Sequence, residues 1–256
     1  MISIITAYYN RKNLFIETLK SIAKSTYKDF EFIVVDDASC KEERIEDLKV
    51  DFPFLKVIRI ETKNKWYVNP CVPFNIGIKK AIGDIIVLQN PECIHVHDVL
   101  KYMAKTVNDK NYITLSAYSV DEMITKHIPD LVNVGNLLTY FKLLPQQYVT
   151  NYVGWYNHSV YAPTHFHFCA GITKKNMDIL KGFDESYADG LGYDDAEFVY
   201  RIKKLGLKMR INNKVSVIHQ WHPKVYDVHK DGYRQLYVKN RNIFELMKKE
   251  GIVNGL

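Results

Sequence analysis

The first 117 residues repeat one unit: a short apolar, β-branched run followed by a stretch with helical spacing. Strand-like runs are Ile2–Thr6, Phe30–Val35, Lys56–Ile60, Asp84–Leu88 and Tyr112–Ala117, and helical patterns fall between them at Leu14–Lys24, Glu42–Lys49, Val72–Ile82 and Val99–Val107. Such alternation predicts an α/β fold, a mostly parallel sheet with helices on both faces. Beyond Ala117 the rhythm stops. Residues 118–167 are rich in Tyr, Asn, His and Pro, with one helical pattern at Asn136–Leu144. Strand patterns return at Phe168–Thr173 and Val215–His219, and a long helix is expected over Gln235–Lys249. A chain of 256 residues with 47% hydrophobic content can bury a large core as one continuous domain.

Several function classes drop out at this level. No apolar run reaches the length of a membrane span, and the N-terminus lacks the basic and apolar regions of a signal peptide, so a cytoplasmic location is expected. The four cysteines, Cys40, Cys71, Cys93 and Cys169, are accordingly expected as reduced thiols. A formal charge of +6 without a basic block argues against a nucleic-acid partner. Anionic substrates, or peripheral contact with an anionic membrane, remain compatible with it.

Open parallel sheets bind ligands beyond the carboxyl ends of their strands. The first strand runs into Thr6-Ala-Tyr8-Tyr-Asn10 and the second into Asp36-Asp37. No GxGxxG follows the first strand and no GxxxxGK[ST] occurs, so neither a dinucleotide cofactor nor a P-loop is indicated. Two adjacent aspartates at a strand end suit the base and sugar of a single nucleotide, although one of them could serve only to cap the next turn.

A second acidic cluster lies at Asp194-Asp195-Ala-Glu197, behind Gly190-Leu-Gly192-Tyr193. Asp194 as N-cap with Glu197 three residues on forms a capping-box-like pattern. At 100° per residue, Asp195 falls near the centre of the face carrying Phe198, Val199, Ile202 and Leu205, with Glu197 opposite. A carboxylate on a buried face is costly unless it is used there.

Taken in order, ITAYYN, VVDDAS, the segment Asn75-Ile-Gly-Ile-Lys-Lys-Ala-Ile-Gly-Asp84, and GFDE followed by GYDDAEFVYR resemble family 2 glycosyltransferases of the GT-A fold, with a galactosyltransferase-type C-terminal signature. The resemblance covers nearly the whole chain except 118–165. It implies transfer of a sugar from a nucleotide donor, UDP favoured, to a hydroxyl of a glycan, glycolipid or glycoprotein. It also implies a nucleotide-sugar half at 1–117 and an acceptor half at 118–256. By position it assigns Thr6, Tyr8 and Asp37 to the nucleobase, with Asp36 beside them, and Asn75 to the phosphate side. Asp195 matches the general base of an inverting transfer, Asp194 an acceptor contact, and His219 a histidine closing a metal site.

The sequence departs from the family where LDSDD is usual. It reads Leu88-Gln89-Asn-Pro-Glu92-Cys93, so Gln89 takes the place of the first aspartate, as a candidate contact to the donor nucleotide, and Glu92 is the only carboxylate of the turn. Glu92 and His219 are the candidate ligands for Mn²⁺ or Mg²⁺, a nitrogen ligand favouring Mn²⁺; the alternative is an enzyme that works without metal. A rival zinc site is conceivable from Cys93-x-His95-x-His97 and His165-x-His167-x-Cys169, although that spacing is unlike structural zinc sites. The acceptor candidates are Trp155, His167 and Tyr193, with aromatic faces available to stack on sugar C–H surfaces; the alternatives are that most of the aromatics in 118–167 are packing and that His165 and His167 are satisfied locally by hydrogen bonds. Trp221 and His222 are candidates for a C-terminal loop that closes over the donor, with Lys224 and Lys230 nearby to neutralise a leaving diphosphate. A catalytically inactive sugar-nucleotide binder, a sugar nucleotidylyltransferase and a lectin-like module are the competing classes.

Overall fold

The computed structural model describes residues 1–223 and 232–251. In chain order the strands are β1 (Ile2–Tyr8), β2 (Phe30–Asp37), β3 (Leu55–Ile60), β4 (Ile85–Gln89), β5 (Cys93–His95), β6 (Asn111–Ser119), β7 (Gly154–Asn157), β8 (Cys169–Thr173) and β9 (Lys208–His219). The helices are α1 (Lys12–Ala23), α2 (Cys71–Lys80), α3 (Val99–Thr106), α4 (Glu122–Asn133), α5 (Leu137–Phe141), α6 (Lys174–Leu180), α7 (Asp194–Lys204) and α8 (Tyr233–Glu250).

All nine strands join one sheet in the order β3-β2-β1-β4-β8-β6-β9-β5, with β7 added beside β6. β1 to β4 are mutually parallel; β8 runs antiparallel to both β4 and β6, so β6 and its parallel neighbour β9 share the direction of β1. The expected mixed, mostly parallel sheet is therefore present, and it runs without a break from the first half of the chain into the second.

Burial on both faces explains the continuous apolar runs of the central strands. On one face Phe15, Leu19 and Ile22 of α1 and Val99, Leu100 and Met103 of α3 cover Ile2, Ile4, Phe32, Val34 and Val87. On the other, α2, α6 and α7 contribute Phe74, Ile78, Met177, Leu180, Phe198 and Ile202 against Ile5, Ile33, Val35, Ile86 and Leu88. α2 approaches β1 so closely that a Cβ at Gly77 would stand 2.5 Å from Ile5 Cγ2. A third cluster, Tyr118, Ile128, Val132, Leu137, Leu144 and Trp155, closes the far end.

Several local expectations change. Glu42–Lys49 forms two short 3₁₀ turns, Lys41–Glu43 and Glu46–Lys49, because only Ile45 and Leu48 are buried there and two apolar residues make no helical face. The helix expected at Asn136–Leu144 shortens to α5, while an unforeseen helix, α4, precedes it. α4 is capped by Asp121, whose carboxylate accepts from Ile124 N at 2.7 Å, and Pro129 inside it masks the helical pattern. β9 starts seven residues earlier than Val215, its first half hidden by the polar Asn212-Asn213-Lys214 where its pairing with β6 shifts register. A further helix, α6, was also missed; Thr173 caps it at the end of β8, so its apolar residues follow the strand without a break.

Candidate active site

The carboxyl ends of β1, β2, β4, β6 and β9 lie along one edge of the sheet, together with the residues that lead into β8. Glu92 sits in the turn after β4. Both ends of the Gln89 amide fix that turn: Nε2 donates to Cys93 O at 2.8 Å, and Oε1 lies 2.7 Å from His95 Nε2. Gln89, expected at the donor, is thus fully buried with its polar atoms committed inside the protein.

With the turn fixed, Glu92 faces the end of β9. Its Oε1 lies 3.0 Å from His219 Nε2 and 3.3 Å from His222 Nε2, and Oε2 lies 2.6 Å from Arg11 Nη1. Gln220 holds the two segments together, its N–H and side-chain amide both donating to Glu92 O. Burial alone would raise the Glu92 pKa, but the Arg11 guanidinium, then His222 and His219, hold it well below the ordinary carboxylate range. Glu92, His219 and His222 each place a ligand atom within 4.8 Å of the others, and among the described residues no other group of His, Cys, Asp and Glu does so. One carboxylate oxygen and two imidazole nitrogens form a donor set that fits a divalent ion, and suits Mn²⁺ better than Mg²⁺.

The rival zinc grouping is not assembled. His95 is bound to Gln89, His97 Nδ1 accepts from Ser216 N at 3.2 Å, and His167 pairs with Asp195. Of the metal cluster, sequence reasoning named Glu92 and His219. It placed His222 only in a closing loop and missed Arg11; the signal available was the His-x-x-His spacing at a strand end. Lys224 and Lys230 lie outside the described residues.

At the ends of β1 and β2, Asp37 accepts from Tyr67 OH and Lys65 Nζ, each at 2.7 Å. Lys65 Nζ also stands 4.9 Å from the Tyr9 ring centroid, beside the exposed Trp66. Asp36 is buried, ion-paired with Arg59 at 2.8 Å and capping Ser39 N. Thr6 and Tyr8 are also fully buried, and Tyr8 OH donates to Glu43 O. Asn75 does not join this group: its amide bonds Phe183 N and O and Glu185, tying α2 to the Gly182–Glu185 loop. Of the expected donor residues, Asp37 alone is set among a cation and exposed aromatic rings.

α7 begins differently from the capping box. Its N-cap is Tyr193, in the left-handed region with φ 66°, behind Gly192. Asp194 is instead a buried first-turn residue receiving Asn69 Nδ2 at 3.0 Å. Glu197, expected on the outer face, is fully buried and forms a two-pronged ion pair with Arg201, whose Nη1 donates to Leu180 O. The buried stripe therefore passes through 194, 197, 198, 201 and 202, rotated from the expected one because the Glu197–Arg201 pair can be buried as a unit.

That rotation puts Asp195 at the rim. Its side chain is 36% exposed, and its Oδ1 meets Nδ1 of the buried His167. Burial first, then the neighbouring Asp195 charge, push the Asp194 pKa up to about 6. His167 is raised as well: burial opposes its charge, but Asp195 and then Asp194 outweigh that. The Gly190–Gly192 approach is held from α8, where Asn240 Nδ2 donates to Tyr187 O at 3.1 Å and Gly192 O at 2.8 Å. Tyr193 packs against Tyr237 and Phe244 of the same helix. Trp155, expected to stack on an acceptor, is 3% exposed and packed among Tyr118, Phe141 and His158, which leaves no open ring face.

Asp37 among a cation and aromatic rings, the carboxylate–imidazole cluster around Glu92 and the acidic pair at the start of α7 all lie toward one edge of the sheet. The model of glycosyl transferase family 2 matches residues 3–172, and the chain belongs to that family. An uncharacterized glycosyltransferase of Rickettsia conorii is 33% identical over 112 residues, covering 44% of this chain and 18% of that protein. The uncharacterized glycosyltransferase YwdF of Bacillus subtilis is 31% identical over 112 residues, covering 44% and 40%. The matched segment is thus less than half the length of these relatives. Among solved structures, S. aureus TarS residues 1–349 with UDP-GlcNAc superimposes with a TM-score of 0.62 at 17% identity, over 92% of this chain and 64% of that one. GalNAc-T7 with UDP, GalNAc and Mn²⁺ gives 0.62 at 14% identity, over 97% and 48%. The mannosyltransferase PcManGT of Pyrobaculum calidifontis, with GDP-Man and Mn²⁺, gives 0.55 at 17% identity, over 91% and 59%. These likenesses establish the GT-A fold. No helix among the described residues is long and apolar enough to cross a membrane.

Proposed function

We propose that the protein transfers a sugar from a UDP-sugar to a hydroxyl of a glycan, glycolipid or glycoprotein, with inversion and with Asp195 as the base. The observation that carries this reading is the division of labour between the two acids that start α7. Asp194 is 5% exposed and bonded to Asn69, whereas the Asp195 side chain is 36% exposed at the start of α7. A base must reach the proton it removes, and only Asp195 can.

At the other end of the cleft, Asp37 suits uracil. A carboxylate has about four lone-pair sites, so with Tyr67 and Lys65 bound it can still accept the uracil N3–H. TarS and GalNAc-T7 have been solved with UDP or a UDP-sugar, which supports the same donor here. Residues 1–117 would hold the nucleotide and 118–256 the acceptor, with Tyr193 at the junction.

Glu92, His219 and His222 are the residues to hold a Mn²⁺ or Mg²⁺ ion, which when bound would neutralise the donor diphosphate. Around that position the chain's own groups add positive charge: Arg11 lies on the carboxylate and the start of α1 follows immediately. Fixed cations next to the leaving group favour its departure without reorganisation. Asp195 Oδ2 takes the acceptor proton as the hydroxyl attacks the anomeric carbon from the opposite side. A nucleotidylyltransferase or a lectin has no use for this pairing of cation site and base.

The test combines melting and turnover. UDP should raise the melting temperature more than GDP or dTDP, and more with Mn²⁺ than without. Asp195→Asn should keep that UDP response while UDP release from the donor falls about 10²–10⁴-fold. Near-normal turnover in Asp195→Asn would sink the base assignment, and a GDP preference would overturn the donor.

A further inference from the structure

The buried imidazole of His167 has no counterpart in the chemistry described so far. It stands in the turn just before β8, and its side chain is 6% exposed. Phe74 of α2 meets it edge-on with ring centroids 4.8 Å apart, and Phe183 does so at 5.0 Å. Held between two phenyl rings, the imidazole has little freedom to turn. One nitrogen remains for a polar partner on this side, and that nitrogen lies against Asp195 Oδ1.

We propose that His167 is a positioning residue for Asp195, fixing which carboxylate oxygen faces the acceptor. The inference rests on Asp195 being the base. A carboxylate in the first turn of a helix has several staggered rotamers, and an unpartnered Asp195 would sample those that point into solvent. The ion pair selects one. Oδ1 is buried against the imidazole, so the exposure of the side chain belongs to the rest of the group, and Oδ2 is the oxygen left for the acceptor. His167 also offsets local repulsion. The charged or titratable groups around the pair are Asp194 on the same helix start, Tyr112 of β6 and Cys169 of β8, with Cys71 of α2 on the far side of Asp194. None of these is a cation. A hydrogen-bond donor or cation beside a carboxylate favours its ionised form, which is the form a base needs.

A purely structural histidine would fill the same aromatic box, and two substitutions separate the readings. His167→Phe keeps an aromatic ring between Phe74 and Phe183 and removes the donor. His167→Asn places an amide near the position of Nδ1 and removes the ring. With turnover counted per UDP-binding molecule, His167→Phe is expected to lose about 10–100-fold in kcat, the size of loss seen when a supporting hydrogen-bond partner is removed. UDP affinity and donor KM should stay within about twofold. The acidic limb of the kcat/KM profile should move to higher pH, and His167→Asn should recover part of kcat. Because His167 acts through Asp195, His167→Phe combined with Asp195→Asn should be no slower than Asp195→Asn alone. Wild-type kcat and an unmoved acidic limb in His167→Phe would overturn the proposal, as would additive losses in the double variant. A fully active Asp195→Asn would instead remove the base assignment on which it stands. An inactive Asp195→Asn beside a normal His167→Phe would refute the positioning role alone.

Discussion

Replacing Asp194 by Asn should make the folded protein more stable at neutral pH, although it alters an acid beside the proposed base. Asp194 is 5% exposed and its pKa is pushed up from 3.8 to about 6, first by burial and then by Asp195. Below about pH 4 the group is protonated in both folded and unfolded chains, and its contribution to stability is fully present. Between about pH 4 and 6 the unfolded chain releases the proton while the folded one retains it, so stability falls across that window and levels off above it. A displacement of about two pH units corresponds to about 3 kcal/mol. Asparagine mimics the protonated acid and can still accept from Asn69. At pH 7.5, Asp194→Asn should therefore gain up to about 3 kcal/mol, or up to about 6 °C in Tm at about 2 °C per kcal/mol for a chain of this size. Scanning calorimetry of both proteins at pH 4.5 and 7.5 measures it. The gain should be largest at pH 7.5 and shrink toward pH 4.5. An equal gain at both values, or a loss at pH 7.5, would refute the buried-charge argument.

The Glu197–Arg201 pair makes the opposite prediction. Glu197→Gln leaves a guanidinium that is 1% exposed without its carboxylate and should cost about 3–5 kcal/mol, whereas replacing both residues by Met should restore much of it in thermal melts. Arg11→Ala frees one oxygen of Glu92, so Mn²⁺ should bind the nucleotide-free protein more tightly, as read by electron paramagnetic resonance. Unchanged Mn²⁺ affinity would show that Arg11 does not compete for that carboxylate.

The central strands and the flanking helices α1, α2 and α3 were legible because burial on both faces leaves unbroken apolar runs separated by amphipathic spacing. Legibility ended where polar pairs substitute for that pattern. Glu197 reads as an outward residue at 100° per residue until Arg201, one turn on, is seen to accompany it inward. Gln89 sits where the family places an aspartate, but its amide is spent on Cys93 and His95, a contact between neighbours that no periodicity signals. Trp155 lies in an aromatic segment whose burial depends on α4, a helix disguised by Pro129. The cluster of candidate metal ligands was partly visible: Glu92 and His219 stand in recognisable places, while His222, and the Arg11 that pairs with Glu92, join them only through the meeting of β4, β9 and the start of α1. For His167 an acceptor contact and a local polar partner both fit the sequence, and nothing in it states that Asp195, twenty-eight positions later, lies against it.

Calorimetric titration of UDP, with and without Mn²⁺, into the wild type, Glu92→Gln and Asp195→Asn tests most directly whether donor binding and proton removal are separate parts of one cleft. Mn²⁺ should strengthen UDP binding about equally in the wild type and Asp195→Asn, and should lose that effect in Glu92→Gln. The same affinity for UDP with and without Mn²⁺ in the wild type, or an undiminished Mn²⁺ effect in Glu92→Gln, would contradict the account.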